Sequence, residues 1–317
     1  MSKYQELIKK SSAVAIFTHI NTDGDAIGSS LALRKLLINM GKKVDVFVDS
    51  TIPSHISFLP DIDKVNQKTC EKYDLAIALD AASADRLGRN KYKFLKLHPS
   101  IQIDHHKGNP NFADVNIVNT NVSSTSELLF NMIIQMNETI DKDMATCLMT
   151  GIYTDTGNLI FSNTKPTTFY ALSKLSVILN ETIDYLTEPL NNSCSQGEFE
   201  LKKYVYQNIE FCLDGSLAII YLDSDIFQNT GTSIDDTKGL VYIPFQLKQV
   251  KITAIISRGN DGALYGSIRS KGTLNISKIA ESFGGGGHVN AAGFKSLEPF
   301  EKIKEQIIKE TEKVYKC

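Results

Sequence analysis

The stretch DLAIALD, residues 74–80, decides the fold of the first half of this chain. It is an almost continuous apolar run that ends in an aspartate, and IQIDHH at 101–106 repeats the pattern. Two earlier runs, AVAIFTH (13–19) and KVDVFVDS (43–50), flank the helical pattern AIGSSLALRKLLINM at 26–40. Continuous apolar strands between helices are typical of a parallel sheet covered on both faces. We therefore predict an α/β fold with a doubly wound, mostly parallel sheet.

The sequence becomes more polar near Glu188, at the start of the segment TEPLNNSCSQGEFELKK (187–203). Beyond it, SLAIIYLD, VKITAIISRG and ALYGSIRS are predicted as strands of a second sheet. We predict a first domain at 1–185, a linker at 186–205 and a smaller α/β domain at 206–317, with the active-site cleft between the two domains.

The composition is that of an ordinary globular protein, with 317 residues, 42% hydrophobic residues and a net charge of −2. Proteins that track along long nucleic acids are usually strongly basic, so we expect any polyanionic partner to be short. The five cysteines are scattered without a CxxC pair, which favours reduced thiols. The apolar run near the amino terminus is too short for a membrane span or signal segment, so we expect a cytoplasmic protein.

Ionisable residues follow the predicted strands at one edge of the sheet. In doubly wound sheets, ligands bind outside the carboxyl ends of the strands. Taken singly, an aspartate there often caps a helix or forms a turn, and a lone histidine is often a hydrogen-bonded strand-end residue. The residues delivered to this edge are His19, Asp23, Asp25, Asp80, Asp104, His105, His106 and Asp155.

Carboxylates gathered in one partly buried place would repel each other unless cations neutralise them. Oxygen and imidazole ligands without cysteine suit Mn²⁺, Mg²⁺ or a similar ion, and two metals can share one bridging carboxylate. Such a pair lowers the pKa of water and stabilises a phosphate ester under attack. The sequence therefore predicts a two-metal phosphohydrolase. Successive side chains on a strand point to opposite faces, so adjacent His105 and His106 are expected to have different roles.

Five motifs occur in a characteristic order: HINTDGDAIGS (19–29), ALD (78–80), DHH (104–106), GIYTDTG (151–157) and SIRSKGTLNISKIAESFGGGGHVNAAGF (267–294). Together they resemble the DHH phosphoesterase superfamily with its associated carboxy-terminal GGGGH domain. The length and the lack of extra domains are similar to the subfamily of bifunctional oligoribonucleases (nanoRNases) and 3′-phosphoadenosine 5′-phosphate phosphatases. One departure is Thr22, where that subfamily more often has proline.

The resemblance implies two divalent metal ions, Mn²⁺ in the first place, with Mg²⁺ or Co²⁺ as alternatives. It implies His19, Asp23 and Asp80 as ligands of one ion, and Asp25, Asp80, His105 and Asp155 as ligands of the other. His106 would face the substrate phosphate. Asp104 has no metal in this scheme, and a carboxylate beside a ligating histidine is suited to orient it. We expect Asp80, Asp104 and His106 to be the catalytic residues.

The glycine run FGGGGH at 283–288 is either a flexible turn or a backbone that approaches an anion closely. Nearby Arg269 and Ser270, and five basic residues against one acidic residue between 251 and 279, favour the second interpretation. Arg258 is either part of this patch or a solvated strand-end charge. The resemblance implies that Arg269 and His288 bind substrate. The predicted substrate-binding residues are Arg269, Ser270, Gly285, Gly286, Gly287 and His288.

Three functions remain open at this point. The first is a manganese-dependent phosphohydrolase that cleaves short RNA to 5′-mononucleotides and also converts 3′-phosphoadenosine 5′-phosphate to AMP. The second is a phosphodiesterase for cyclic di-AMP or its linear product pApA, and the third is a catalytically silent nucleotide-binding sensor. The predicted partner is short RNA or a small nucleotide, without a membrane, and a homodimer is left open.

Overall fold

The computed structural model describes residues 2–191, 194–237 and 239–316. The chain divides into two compact units, Met1–Ser193 and Cys194–Cys317. This division falls inside the predicted 186–205 linker, of which residues 192 and 193 lie outside the described part of the chain.

The first unit is built on one parallel sheet. Its strands are β1 (Ala13–Phe17), β2 (Lys43–Phe47), β3 (Leu75–Leu79), β4 (Ser100–Asp104) and β5 (Val115–Val118). Its helices are α1 (Lys3–Lys10), α2 (Gly24–Asn39), α3 (Lys91–Leu95), α4 (Thr125–Gln135), α5 (Lys142–Asp155), α6 (Pro166–Leu179) and α7 (Asp184–Asn191). The strand order is β2-β1-β3-β4-β5, and every neighbouring pair is parallel. The predicted α/β fold with a parallel sheet is confirmed, and β5 is an additional, half-buried edge strand.

Both faces of this sheet are covered, as continuous apolar strands require. Ile16, Ile77 and Ile103 pack with α2, α4 and α5 on one face, whereas Phe17 and Ala78 pack with Phe94 on the other. These residues alternate along their strands, so each strand contributes to two cores.

Helices α2 and α5 pack closely because glycines face the partner helix. A Cβ on Gly24 would lie 2.4 Å from Oγ1 of Thr154, and one on Gly28 would lie 2.4 Å from the carbonyl oxygen of Cys147. The two backbones therefore approach more closely than larger residues permit. This packing brings the start of α2 beside the end of α5.

The second unit has a mixed six-stranded sheet in the order β10-β11-β9-β8-β7-β6, in which only β7 and β8 are parallel. The strands are β6 (Glu210–Cys212), β7 (Leu217–Leu222), β8 (Ile252–Arg258), β9 (Leu264–Ser270), β10 (Gly286–His288) and β11 (Ala291–Ser296). The helices are α8 (Gln196–Gln207), α9 (Ser224–Thr230), α10 (Ser277–Glu281) and α11 (Phe300–Lys316).

Helices pack on both faces of the second sheet, but the core on one face is larger than the core on the other. One core joins Ile268 and Phe294 to Ile279 of α10 and Ile307 of α11. A smaller core on the other face joins Ile255 of β8 to α8, α9 and the short 3₁₀ helix Leu240–Gln246. Most of the predicted 186–205 segment is helical, since it holds the greater part of both α7 and α8.

None of the helices in the described residues is both long and apolar enough to cross a bilayer. Four described cysteines, Cys70, Cys147, Cys194 and Cys212, are free thiols, and Cys317 lies outside the described residues.

Candidate metal centre

His19, Asp23 and Asp80 converge where the strand order of the first sheet reverses, between β1 and β3. This reversal is the position at which doubly wound folds bind ligands. Nε2 of His19 lies 3.4 Å from Oδ2 of Asp80 and 3.7 Å from Oδ2 of Asp23. Nδ1 of His19 lies 2.7 Å from the Ile20 carbonyl oxygen, which can only accept, so Nδ1 carries a proton. Nε2 is thereby directed at the carboxylates.

Asp23 caps a helix and also faces this cluster. Its Oδ1 accepts from the amides of Asp25 and Ala26, which makes it the N-cap of α2. Its Oδ2 is the atom turned toward His19. The capping and ligand interpretations are therefore compatible, because they use different oxygens.

Thr22, at the position where the similar subfamily more often has proline, is buried and hydrogen-bonded to a neighbouring residue. Its hydroxyl donates to the His19 carbonyl oxygen at 2.9 Å. This hydrogen bond fixes the loop between β1 and α2 at the point where a proline ring would otherwise restrict it.

A second cluster contains Asp25, His105 and Asp155. Nε2 of His105 lies 3.6 Å from Oδ2 of Asp155 and 3.6 Å from Oδ1 of Asp80. Asp80 thus presents one oxygen to each cluster. It has φ +57°, a left-handed conformation that aspartate tolerates better than most residues.

Both His105 and His106 lie near Oδ1 of Asp80, with Nε2 of His105 at 3.6 Å and Nδ1 of His106 at 3.7 Å, but their other partners differ. Nδ1 of His106 is hydrogen-bonded to Oδ1 of Asp104 at 2.8 Å, while His105 faces the second cluster. Asp104 is fully buried and also accepts from the side-chain amide of Asn109. Asp104 therefore orients His106, and Asn109 in turn holds Asp104.

The first turn of α4 holds two carboxylates of the centre. The amides of Thr125 and Ser126 donate to the two oxygens of Asp25 at 2.7 and 2.9 Å. The Thr125 hydroxyl donates to Oδ1 of Asp80 at 2.9 Å. A helix N-terminus favours negative charge, so this placement stabilises the ionised form of Asp25.

Sequence reasoning missed Thr125, Ser126 and Asn109. Ser124 caps α4, and Glu127 lies in the first turn of that helix. Buried Glu127 accepts from Ser123 and Thr168, away from the centre. The sequence signal for the missed residues is only a run of hydroxyl residues at a helix start.

The carboxylates of the centre are held in an unfavourable environment for negative charge. Burial is the main cause that raises the pKa of Asp25, Asp80 and Asp155 above the ordinary value, and their mutual repulsion adds to it. Burial opposes protonation of His19, but Asp23 and Asp80 together raise its pKa to about 10. Donor atoms within each cluster lie within 4.8 Å of one another. Divalent cations would offset the repulsion between these buried carboxylates, and clustered oxygen and imidazole atoms are suitable ligands for such ions.

The predicted residues of the second unit lie on β9 and β10, except for Gly285, which directly precedes β10. Arg269 and Ser270 are consecutive on β9, so their side chains project to opposite faces. The Ser270 hydroxyl donates to the Leu274 carbonyl oxygen. Arg258 is paired with Asp223 and the Tyr221 hydroxyl.

The glycine run is tightly packed in part. A Cβ on Gly285 would lie 2.3 Å from the Gly293 carbonyl oxygen. One on Gly287, which has φ +152°, would lie 2.4 Å from the Ala291 carbonyl oxygen. A Cβ on Gly286 would meet no atom within 4 Å. Two of the three glycines are therefore required by the hairpin itself, and both Gly286 and His288 are exposed.

The sequence matches two known protein families and several known proteins. Residues 13–152 match the DHH family, N-terminal domain, and residues 215–316 match the DHHA1 domain. The chain is 31% identical over 309 residues to the bifunctional oligoribonuclease and PAP phosphatase NrnA of Thermus thermophilus, covering 94% of this chain and 90% of that protein. It is 27% identical over 287 residues to the protein of the same description in Bacillus subtilis, covering 88% of each.

Solved structures show the same fold. An exopolyphosphatase-related protein from Bacteroides fragilis superposes with a TM-score of 0.91 and 27% identity, covering 99% of this chain and 96% of that chain. RecJ of Thermus thermophilus in complex with Mn²⁺ superposes with a TM-score of 0.54 and 12% identity, covering 98% of this chain and 53% of that chain. The chain belongs to the DHH family of phosphoesterases, and within that family it is NrnA-like.

Proposed function

We propose that this protein is a two-metal phosphohydrolase that cleaves short oligoribonucleotides to 5′-mononucleotides and removes the 3′-phosphate of 3′-phosphoadenosine 5′-phosphate. The observation that carries the proposal is the convergence of His19, Asp23 and Asp80 with Asp25, His105 and Asp155 at one sheet edge. The near full-length similarity to proteins named for these two activities supports the choice of substrates.

The metal ligands in this proposal are His19, Asp23 and Asp80 for one ion, and Asp25, Asp80, His105 and Asp155 for the other. Two divalent ions would balance the four carboxylates, and Mn²⁺ suits this mixture of oxygen and imidazole donors. When bound, such ions supply Lewis acidity, which favours attack of water on a phosphate ester at neutral pH.

His106 is proposed to donate a hydrogen bond to the substrate phosphate. Its side chain is 41% exposed, in contrast to the 14% of His105. Asp104 holds Nδ1 of His106, so Nε2 is left to reach the phosphate. Burial lowers the pKa of His106, but the Asp104 hydrogen bond and nearby negative charge outweigh it and raise that pKa. The raised pKa favours the protonated form of His106, which can donate from Nε2.

The decisive experiment uses purified protein loaded with Mn²⁺. We expect mononucleotides from a diribonucleotide and AMP from 3′-phosphoadenosine 5′-phosphate, and we expect Asp80→Ala to lose both activities. A parallel kcat/KM measurement on cyclic di-AMP, pApA and a pentaribonucleotide ranks the alternatives. A higher kcat/KM for cyclic di-AMP than for the diribonucleotide would overturn the proposed substrate, and full activity of Asp80→Ala would overturn the metal assignment.

Arg269 and Arg258 form a matched pair for testing substrate binding by the second unit. The Arg258 guanidinium is engaged by the Asp223 carboxylate and the Tyr221 hydroxyl. The Arg269 guanidinium instead donates to neutral hydroxyls, those of Tyr242 and Ser267. We expect Arg269→Ala to raise KM about tenfold or more without changing metal content, since it removes a phosphate-binding guanidinium. Arg258→Ala should leave KM unchanged. Loss of metal in Arg269→Ala would contradict a purely substrate-binding role.

A further inference from the structure

One face of β9, β10 and β11 carries a row of aligned residues. Arg269 pairs with Ala291 on β11 and with Thr253 on β8, and Ala291 pairs with His288 on β10. Residues directly opposite each other on antiparallel strands project to the same face. Arg269 and His288 therefore share one face, which we call the Arg269 face.

A second row on the Arg269 face lies two residues along each strand and contains small residues. Gly286 pairs with Gly293, which pairs with Ser267. The alternate residues Ile268, Ala292 and Phe294 belong to the core on the opposite face. Between Arg269 and His288, the Arg269 face thus has no bulky side chain among these paired positions.

An aromatic residue borders this surface. The hydroxyl of Thr253 donates to the Val241 carbonyl oxygen at 2.7 Å, which fixes the 3₁₀ helix Leu240–Gln246 to the Arg269 face. Arg269 Nε donates to the Tyr242 hydroxyl at 3.1 Å, and the guanidinium carbon lies 5.8 Å from the centre of the Tyr242 ring. Tyr242 is 38% exposed.

A second aromatic residue and a second cation extend the same border. The ring of Phe245 lies 6.2 Å from that of Tyr242. Nζ of Lys271 lies 5.0 Å from the Phe245 ring centre and donates to the Phe245 carbonyl oxygen. Aromatic rings interleaved with basic groups are the usual surface for a single-stranded nucleotide, because a base stacks on the ring while a cation binds the phosphate.

We propose that Tyr242 is a specificity-determining residue, on which one nucleobase of the substrate stacks while Arg269 binds an adjacent phosphate. This inference rests on the proposed function and adds the base as the recognised group. The hydroxyl of Tyr242 anchors Arg269, and its ring supplies the stacking surface. The paired positions beside Arg269 on this face, Ala291, Gly293 and Ser267, are small, so their side chains would not obstruct a planar base.

The test separates stacking from the positioning of Arg269. The full-length, Mn²⁺-loaded protein is given 5′-phosphorylated diadenylate, or the same phosphodiester with both bases removed. Tyr242→Ala should lower kcat/KM for diadenylate about 5- to 150-fold, and much less for the abasic compound, because stacking is lost. Tyr242→Phe keeps the ring and should retain the preference for the base-containing substrate.

Tyr265→Ala is the control for removal of a β9-associated tyrosine, because the Tyr265 hydroxyl is engaged by Asp261. It should retain the base preference of the wild-type protein. An equal loss on both substrates in Tyr242→Ala, or loss of the preference in Tyr242→Phe, would overturn stacking and leave only an Arg269-positioning role.

A binding measurement gives an independent result. The ligand is a diribonucleotide with a non-hydrolysable linkage and 2-aminopurine as one base. We expect the 2-aminopurine fluorescence to be quenched when this ligand binds to wild-type protein or to Tyr242→Phe, but not when it binds to Tyr242→Ala. Unchanged quenching in Tyr242→Ala overturns the inference. If the wild-type protein hydrolyses neither substrate, the proposed function fails, while this binding measurement still decides whether Tyr242 stacks on a base.

Discussion

The amide nitrogen of Thr125 lies 2.7 Å from Oδ2 of Asp25, so the first turn of α4 is joined to the first turn of α2. The hydroxyl of the same threonine donates to Asp80 at 2.9 Å. One residue therefore orients two carboxylates that arrive from different elements. Groups that orient metal ligands are themselves important for affinity.

Thr125→Val should weaken Mn²⁺ binding about 10- to 100-fold, because it removes the hydroxyl while keeping the shape and the backbone amide. Isothermal titration calorimetry on the chelator-treated protein measures this change. Thr125→Ser keeps the hydroxyl and should bind Mn²⁺ nearly as the wild-type protein does. Equal affinities of the valine and serine variants would show that the hydroxyl does not orient Asp80.

Asp104→Asn should move the pH dependence of hydrolysis without removing metal. The Asp104 carboxylate raises the pKa of His106, so its neutral replacement lowers that pKa. If protonated His106 is the active form, the alkaline limb of kcat/KM shifts to lower pH. Metal content measured by atomic spectroscopy serves as the control. An unshifted alkaline limb would exclude His106 as the group that titrates there.

Gly151→Ala should destabilise the first unit, because the added Cβ would lie 2.0 Å from Oγ of Ser126 and 2.7 Å from Oδ1 of Asp25. Overpacking of this kind costs about 1–3 kcal/mol in unfolding free energy. Urea unfolding measures the change, and Mn²⁺ affinity should fall with it. Gly286→Ala is the matched stability control, since its Cβ would meet no atom within 4 Å. Wild-type stability in Gly151→Ala would mean that Ser126 moves away without cost.

Removal of metal should make the protein less stable as the pH rises. The carboxyl groups of Asp25, Asp80 and Asp155 have raised pKa values in the folded state, while in the unfolded chain they ionise near pH 4. Between those two pKa values the folded state binds more protons, so stability falls with increasing pH. His19 acts in the same direction, since its pKa is raised to about 10.

Thermal unfolding of the metal-free protein between pH 5 and pH 9 tests this expectation. This range lies above the ordinary carboxyl pKa, where the raised pKa values of these three groups take effect. The Tm should fall toward alkaline pH, and added Mn²⁺ should raise it most at the alkaline end, because the deprotonated ligands then bind the ion. Asp155→Asn should reduce the pH dependence of the chelated protein. Identical slopes with and without Mn²⁺ would contradict the assignment of these carboxylates as ligands.

The apolar runs that alternate with helical patterns along the chain were enough to predict the parallel sheet. Strand-end aspartates such as Asp80 and Asp104 are visible in sequence because each terminates an apolar run that only a buried strand explains. The doubly wound topology then directs them to one edge, whatever the details of packing.

The sequence could not reveal which groups hold those aspartates in place. Thr125 and Asp80 are 45 residues apart, and their contact depends on how α4 packs against the sheet. Tyr242 reaches Arg269 because a hydrogen bond from Thr253 fixes a 3₁₀ helix to the sheet face. Local patterns fix strands and helix ends, whereas contacts between distant segments exist only once the cores have packed.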